Sequence, residues 1–471
     1  MEFRRWIEFG TENHNWPQIY VIFVASLSGL TSMALLTWPS PSIPVLTSTA
    51  SHMDIINPEE GSYFAVIPPI ATILASPLMS VLVDIIGRKK MIILMIFPHI
   101  MSWTFVVISQ NLMYLYVSRV LYGIADAIMY CTLPTFIGEI STPAVRGTWG
   151  NTVMIFMFSG QFLINAIGAY CSVKRTALIF LIVPIVQFVF VSVLPESPYF
   201  LLMKKRNSEA ENSLRWLRWN RNVQKEFNLL SKDVQRQISE PGTLKDLFSI
   251  RTNRKALFIC VMIRIFQQFS GVAAFGVYTQ QIFNIAGGNL SPSISAIIYT
   301  GVLVFMAFLY SFFVDKLGRR RLMLFSTIGA SIALLIQTIY FYLQFESNLD
   351  LSGFTWVPLT SMIFYIVTCI GGIGVLPTLL LGELFSSSVK GKAMGVVNIF
   401  FSLCLIAVPK LFQLLTNTFS IYVPFMLYTI CTMISIVFYY LFLPETRKMT
   451  LEQIQQILAN KKVVKCDQES S

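Results

Sequence analysis

The chain has 471 residues, of which 55% are hydrophobic and only 13% charged. A soluble protein carries about a quarter charged residues, so most of this surface has to face lipid. The formal net charge of +11 suggests a nucleic-acid partner only if the cations cluster on one soluble face, and they do not.

Arg4 and Arg5 precede a long apolar run from Ile19. No cleavage site follows, so the run is read as a retained helix and not a signal peptide. A bilayer core needs about 20 apolar residues per helix. In chain order, helices are expected near 17–37, 62–83, 91–109, 112–134, 148–170 and 176–194. After a polar stretch come 256–284, 292–313, 321–344, 355–381, 392–415 and 420–443. Pro68, Pro69, Pro134, Pro184 and Pro377 lie inside them, which a bundle tolerates because neighbours re-satisfy the freed backbone groups.

Lys and Arg gather on one side of these spans. Arg88, Lys89 and Lys90 follow the second, Arg146 the fourth, Lys316 and Arg319 to Arg321 the eighth, Lys390 and Lys392 the tenth. The polar stretch 195–255 is also rich in them. The opposite loop 38–61 carries Asp54, Glu59 and Glu60 but no cation, and only Lys174 and Arg175 break the trend. By the positive-inside rule the basic side is cytoplasmic, and both termini lie there. The basic balance is therefore a topology signal, and no nucleic-acid partner is expected. Asn289-Leu290-Ser291 is a glycosylation sequon on the outer side.

The chemistry of catalysis is missing. Cys131, Cys260, Cys369, Cys404 and Cys431 sit inside apolar runs without disulfide or metal spacing. The histidines are His14, His52 and His99 alone, and no phosphate loop is present. Neither an enzyme, a metal site, a cofactor nor an ATP-driven pump is expected.

An internal repeat organises the chain. Asp84-Ile85-Ile86-Gly87-Arg88-Lys89 recurs as Asp315-Lys316-Leu317-Gly318-Arg319-Arg320. Gly138-Glu139-Ile140 with Arg146-Gly147 recurs as Gly382-Glu383-Leu384 with Lys390-Gly391, and Pro195-Glu196-Ser197 as Pro444-Glu445-Thr446. The pairs follow spans 2 and 8, 4 and 10, 6 and 12. The chain is thus read as an all-α membrane protein of twelve helices in two six-helix bundles, 1–194 and 256–443. Residues 195–255 form a cytoplasmic helical linker, amphipathic over Glu209–Trp219 and Val223–Ile238, and 444–471 a cytoplasmic tail. Parallel repeats of this kind place a substrate near the midplane, between halves that rock against each other.

These motifs, with Pro195-Glu196-Ser197-Pro198 and Gln267-Gln268-Phe269-Ser270-Gly271, resemble the sugar porters of the major facilitator superfamily. The nearest likeness is to the facilitated glucose and trehalose transporters, which Trp38-Pro39-Ser40-Pro41 also resembles. The resemblance covers about 17–455. It implies the major facilitator fold, a small sugar such as a hexose or trehalose as substrate, a monomer in the plasma membrane, and no cofactor. It also implies that Asp84, Arg88, Glu139 and Arg146, with their counterparts Asp315, Arg319, Glu383 and Lys390, form inter-helix ion pairs that hold the cytoplasmic side shut. Gly87 and Gly318 are expected to supply tight turns at that rim.

In the seventh span Gln267, Gly271, Ala274 and Tyr278 share a helical face. An amide offers donor and acceptor together, which suits vicinal hydroxyls, so Gln267, Gln268, Gly271 and Tyr278 are candidate substrate contacts. Inter-helix bonding by the glutamines is the alternative. Several sugar-binding positions of the family are altered: Ala273, Leu303, Thr378, Phe401-Ser402 and Met154 stand where polar or tryptophan residues are usual. Each lost hydrogen bond is worth roughly 0.5–1.5 kcal/mol. Either the solute is less hydroxylated, or Thr378, Ser402, Asn398, Asn165, Gln161 and Gln337 compensate.

Proton-coupled members carry an acid in the first helix; none lies between Trp16 and Trp38, which points to facilitated diffusion. Asp126 stands in the middle of the fourth span where the family has Gly, and ionisable residues at such depth are functional by default. Arg119, itself at the family's Gly-Arg position behind Ser118, shares its stripe. The expectation is a buried network of Asp126 with Arg264, or with Arg119 through a neighbour, serving structure or protonation. The overall reading is a facilitative sugar carrier working by alternating access. The alternatives are a proton-coupled symporter using Asp126, a carrier of a less hydroxylated solute, and a non-transporting sugar sensor.

Overall fold

The computed structural model describes residues 14–220, 222–239, 243–313, 318–347, 349–385, 387–446 and 451–458. Among these, twelve helical stretches are long and apolar enough to cross a bilayer. In the first half they are α1 (Trp16–Leu46), α2 (Pro58–Ile86), α3 (Arg88–Val107), α4 (Leu112–Ile140), α5 (Pro143–Gly168) and α6 (Val173–Val193). In the second they are α7 (Arg251–Ala286), α8 (Pro292–Tyr310), α9 (Arg319–Glu346), α10 (Ser352–Leu384), α11 (Val389–Thr418) and α12 (Tyr422–Phe442). Chain contacts divide the molecule into two compact units, 1–240 and 241–471.

Local sequence sets the helix starts. Pro58, Pro143 and Pro292 stand at first-turn positions, where a missing N–H costs nothing. Asn111 Oδ1 accepts from the Met113 amide at 3.1 Å, and Glu60 reaches back to the Asn57 amide at 2.8 Å. Trp38-Pro39 interrupts α1 without ending it. A regular helix runs to Thr37 and a second stretch begins at Pro39 and reaches Leu46, so this span is longer than its composition suggests.

Each unit packs its helices by the same scheme. In the first, α1 lies along α5, α4 along α2 and α3, and α3 along α6. In the second, α7 lies along α11, α10 along α8 and α9, and α9 along α12. Adding six to each number turns one set into the other, so the sequence repeat is also a packing repeat. Close approach uses small residues, as expected where no water drives association. A Cβ on Gly160 would overlap the Leu30 carbonyl of α1.

The polar stretch between the bundles divides. Helices Pro198–Met203, Asn207–Arg218 and Gln224–Ser239 belong to the first unit. Leu217 enters that unit's core, and Arg218 donates to the Ile140 carbonyl at 3.0 Å. Leu244–Ser249 packs on α7 and α11, and the tail helix Leu451–Leu458 on α7 and α10. The boundary therefore falls at 240, inside the expected linker, and α7 begins at Arg251.

Gly160→Leu should cost about 1–3 kcal/mol by overpacking the α1–α5 contact. Thermal unfolding of the purified protein should show a midpoint lowered by several degrees, and an unchanged midpoint would contradict this packing.

Candidate functional site

The charged rim is built first from backbone geometry. Between α2 and α3 the chain turns at Gly87, whose φ of 105° lies in the region that favours glycine. A Cβ there would meet Glu196 Oε2 at 2.5 Å. Glu196, just past α6, accepts from the amides of Arg88 and Lys89, both at 3.0 Å, and so anchors the start of α3. An anion at a helix N-terminus meets unpaired N–H groups and the positive end of the helix dipole.

Arg88 then turns inward. It pairs with Glu139 at 3.1 Å and with Asp84 at 3.0 Å, and lies 5.1 Å from the Phe200 ring centroid. Its side chain is 5% exposed and that of Glu139 14%, whereas Asp84 is 61% exposed. The inner pair is thus the desolvated one, and breaking it would strand a buried charge. Ser197 Oγ donates to the other Glu139 oxygen. Beside them, burial and then the Glu139 charge push the Tyr199 hydroxyl up to about 12, so it stays a neutral phenol.

The second half rebuilds this cluster. Glu445 accepts from the Arg319 amide at 2.8 Å and the Arg320 amide at 3.2 Å. Arg319 pairs with Glu383 at 3.3 Å, and Thr446 Oγ1 donates to Glu383. Gly318 differs from Gly87. Its φ is −65°, so its need is room: a Cβ would lie 2.6 Å from Glu445 Oε2. Asp315 lies outside the described residues.

Where the sequence reading expected ion pairs, Arg146 and Lys390 share a role as donors to backbone carbonyls. Arg146 donates to the Gly138 and Ser141 carbonyls, and Lys390 to the Gly382 carbonyl at 3.3 Å. Both satisfy carbonyls at the end of α4 or its counterpart α10, where cations are favoured. All these bonds join helices of one half. The sequence reading missed Glu196, Glu445, Ser197 and Thr446 as members. Their signal was present, since Pro-Glu-Ser and Pro-Glu-Thr repeat at matching places.

The expected face of α7 is not continuous. The helix breaks after Phe269, Gly271 has a φ of 93°, and Tyr278 leaves helical geometry at φ −110°, ψ 17°. A periodicity carried from Gln267 to Tyr278 therefore fails, because it assumed an unbroken helix. The break faces another in α10, where Ile370–Gly374 forms a π-helical turn. Gln267 Nε2 donates to the Ile373 carbonyl at 2.7 Å and to the Gly374 carbonyl at 3.2 Å. Irregular backbone at membrane depth must be satisfied by protein, and Gln267 does this. Arg264 donates to Gln267 Oε1 at 2.8 Å and Thr378 Oγ1 at 3.0 Å, and lies 5.0 Å from the Phe401 ring centroid.

Gln268 Oε1 and the Tyr278 hydroxyl are buried without a hydrogen-bond partner among the described residues. Tyr278 stacks on Phe412 at 5.3 Å. Ser402 is buried and Thr378 half-buried. Asn165 accepts from Ser40 at 3.0 Å and Gln337 accepts from Ser361, so both join neighbouring helices. Asn289 is exposed between α7 and α8.

Asp126 accepts from Ser32 Oγ of α1 and from the Tyr122 hydroxyl at 3.2 Å. Arg119 does not touch it. The guanidinium donates to the Leu35 carbonyl at 2.5 Å and lies 4.6 Å from the Trp38 ring and 5.8 Å from the Tyr122 ring. Tyr122 is thus the neighbour between them, and the Asp126 partners are neutral hydroxyls.

Two repeated bundles, each with a partly buried ion pair at the rim, define a multi-pass membrane carrier. The sequence profile of the family described as "Sugar (and other) transporter" matches residues 45–458, and the chain belongs to that family. It is a sugar-porter-type transporter and not an enzyme. The facilitated trehalose transporter of Bombyx mori is 28% identical over 447 residues, covering 94% of this chain and 87% of that protein. That of Apis mellifera ligustica is 27% identical over 445 residues, with 94% and 88% covered. The proton:xylose symporter XylE of E. coli, of the major facilitator superfamily, superposes with a TM-score of 0.76 at 19% identity. That likeness covers 94% of this chain and 100% of the other, and it concerns the fold: twelve helices of the major facilitator type.

Gly87→Ala should destabilise more than Gly318→Ala, because it adds a left-handed strain of about 1–2 kcal/mol to a similar overlap with the anchoring glutamate. Paired thermal unfolding curves test this; equal midpoints would refute it.

Proposed function

We propose that this protein carries a small sugar by facilitated diffusion, through alternating access of its two halves. The supporting observation is the duplicated rim: Arg88–Glu139 and Arg319–Glu383 each join two helices, with a glutamate anchor behind them. In our reading the rim is cytoplasmic, since Lys and Arg crowd that end of the spans. Both termini then lie inside, Asn289 lies outside, and the protein works as a monomer in the plasma membrane. Asp84, Arg146, Asp315 and Lys390 complete the gate.

Each pair lies within one half, so it fixes the helix ends that form the rim. Being partly buried, it is stable when dry and loosens when water enters, which lets the closed and open states lie within a few kcal/mol of each other. Gln268, Tyr278, Gly271 and Ser402 are assigned to substrate, with Gln267 and Thr378 shaping the site. Gln268 and Tyr278 carry the unsatisfied polar atoms that a hydroxylated solute can meet. The named trehalose transporters among the relatives support a disaccharide. A second reading, a less hydroxylated solute, is favoured by Arg264, which already occupies Gln267 Oε1 and Thr378 Oγ1.

Purified protein in liposomes should exchange labelled trehalose or glucose in counterflow. No exchange of either, in protein that folds and inserts, would remove the sugar-carrier reading and leave a sensor. Arg88→Ala and Glu139→Ala should each slow uptake by about tenfold or more at normal surface expression, the rate equivalent of about 1.4 kcal/mol. Unchanged uptake would count against the gate. If Asp126 takes no part in coupling, uptake will be flat from about pH 5 to about pH 8 and unaltered in Asp126→Asn; a pH dependence lost in that variant would establish symport instead.

A further inference from the structure

A cavity of about 780 Å³ lies beside the first-half rim; it shares Lys89, Glu196 and Phe200 with that rim and extends beyond it to residues that neither the gate nor the substrate site uses. Its wall joins the foot of α2 and the start of α3 to the helices that follow α6. Four cations line it: Lys89, Lys90, Arg206 and Arg215. Two acids also line it, and both are engaged. Glu196 holds the α3 amides, and Glu209 pairs with Arg206 at 2.6 Å. Arg215 is tied to Glu211 at 2.7 Å. Lys90 is exposed. Ile93 and Trp216 supply an apolar wall, and an indole is favoured at the membrane–water boundary.

The place matters as much as the charge. On the cytoplasmic reading of the rim, the cavity sits at the inner membrane boundary, between the start of α3 and the chain that leaves α6 at Pro195. An exposed lysine at a helix entry, an arginine whose partner is a surface carboxylate, and an apolar back wall suit an amphiphile with a large anionic head. Surface ion pairs such as Arg206–Glu209 are worth little and can exchange for a phosphate, which Arg binds in bidentate fashion. We infer that this cavity binds a multiply phosphorylated anion, for which the boundary position points to the headgroup of an inner-leaflet lipid. Basic pockets between membrane helices bind such headgroups. The binding claim does not depend on which solute is carried, and its readout is independent of transport.

The full chain in nanodiscs of phosphatidylcholine is the test, with thermal unfolding as readout. One arm adds a phosphatidylinositol bisphosphate, a second adds phosphatidylserine at equal total charge, and a third adds soluble inositol trisphosphate. The bisphosphate lipid should raise the midpoint and phosphatidylserine should not. Lys90→Ala/Arg206→Gln, which touches neither the gate nor the α3 anchor, should weaken binding by at least about tenfold, since it removes two of the four cations that line the cavity. Stabilisation by the soluble anion but not the lipid assigns the same site to a free phosphate compound. No stabilisation in either phosphorylated arm overturns the inference, as does an equal response to phosphatidylserine or a full response in the double variant.

Discussion

A guanidinium at the edge of a lipid-embedded bundle can be neither exposed to hydrocarbon nor buried alone. Arg88 and Arg319 meet this constraint in the same way, and the rim of each half follows from it. The arginine begins a helix, so its amide is unpaired and its side chain is charged. One glutamate takes the amide and a different glutamate takes the side chain. The second glutamate then needs a further donor, which Ser197 or Thr446 provides. Satisfying one arginine at low dielectric recruits three further residues, from the side or the end of two other helices.

That chain of needs explains the glycines. An anchoring carboxylate can approach two amides only where the preceding residue has no side chain. Gly87 meets this with a left-handed backbone and Gly318 with an ordinary one. The two halves thus share a function for the glycine while differing in conformation.

Deeper in the second half, the same rule acts on the backbone. Breaks in α7 and α10 expose carbonyls at membrane depth, and the Gln267 amide answers them. A residue read as a sugar contact is in this state a support for the π-helical turn. Arg264 takes its remaining oxygen, while Gln268 and Tyr278 hold the polar atoms without protein partners. Any solute selectivity built here thus comes from a set quite unlike one of free amides. In the first half, Asp126 and Arg119 each find their own partners, with Tyr122 between them.

Hydropathy and motif order suffice for the twelve spans, their duplication and the arginine and inner glutamate of each rim pair, but not for the anchoring glutamates or the hydroxyls behind them. The former rest on composition and on order along the chain, which the sequence by itself reports directly. Helix ends shifted by a few residues, and α1 ran on past Trp38 because proline can restart a helix as readily as end one. Tertiary structure alone decided which oxygen meets which donor. Ser32 as the partner of Asp126, Trp38 as the platform under Arg119, and the breaks that void the Gln267–Tyr278 periodicity left no local signal. They arise where two helices cross at one depth, and that crossing is a property of packed side chains that spacing along one helix does not carry.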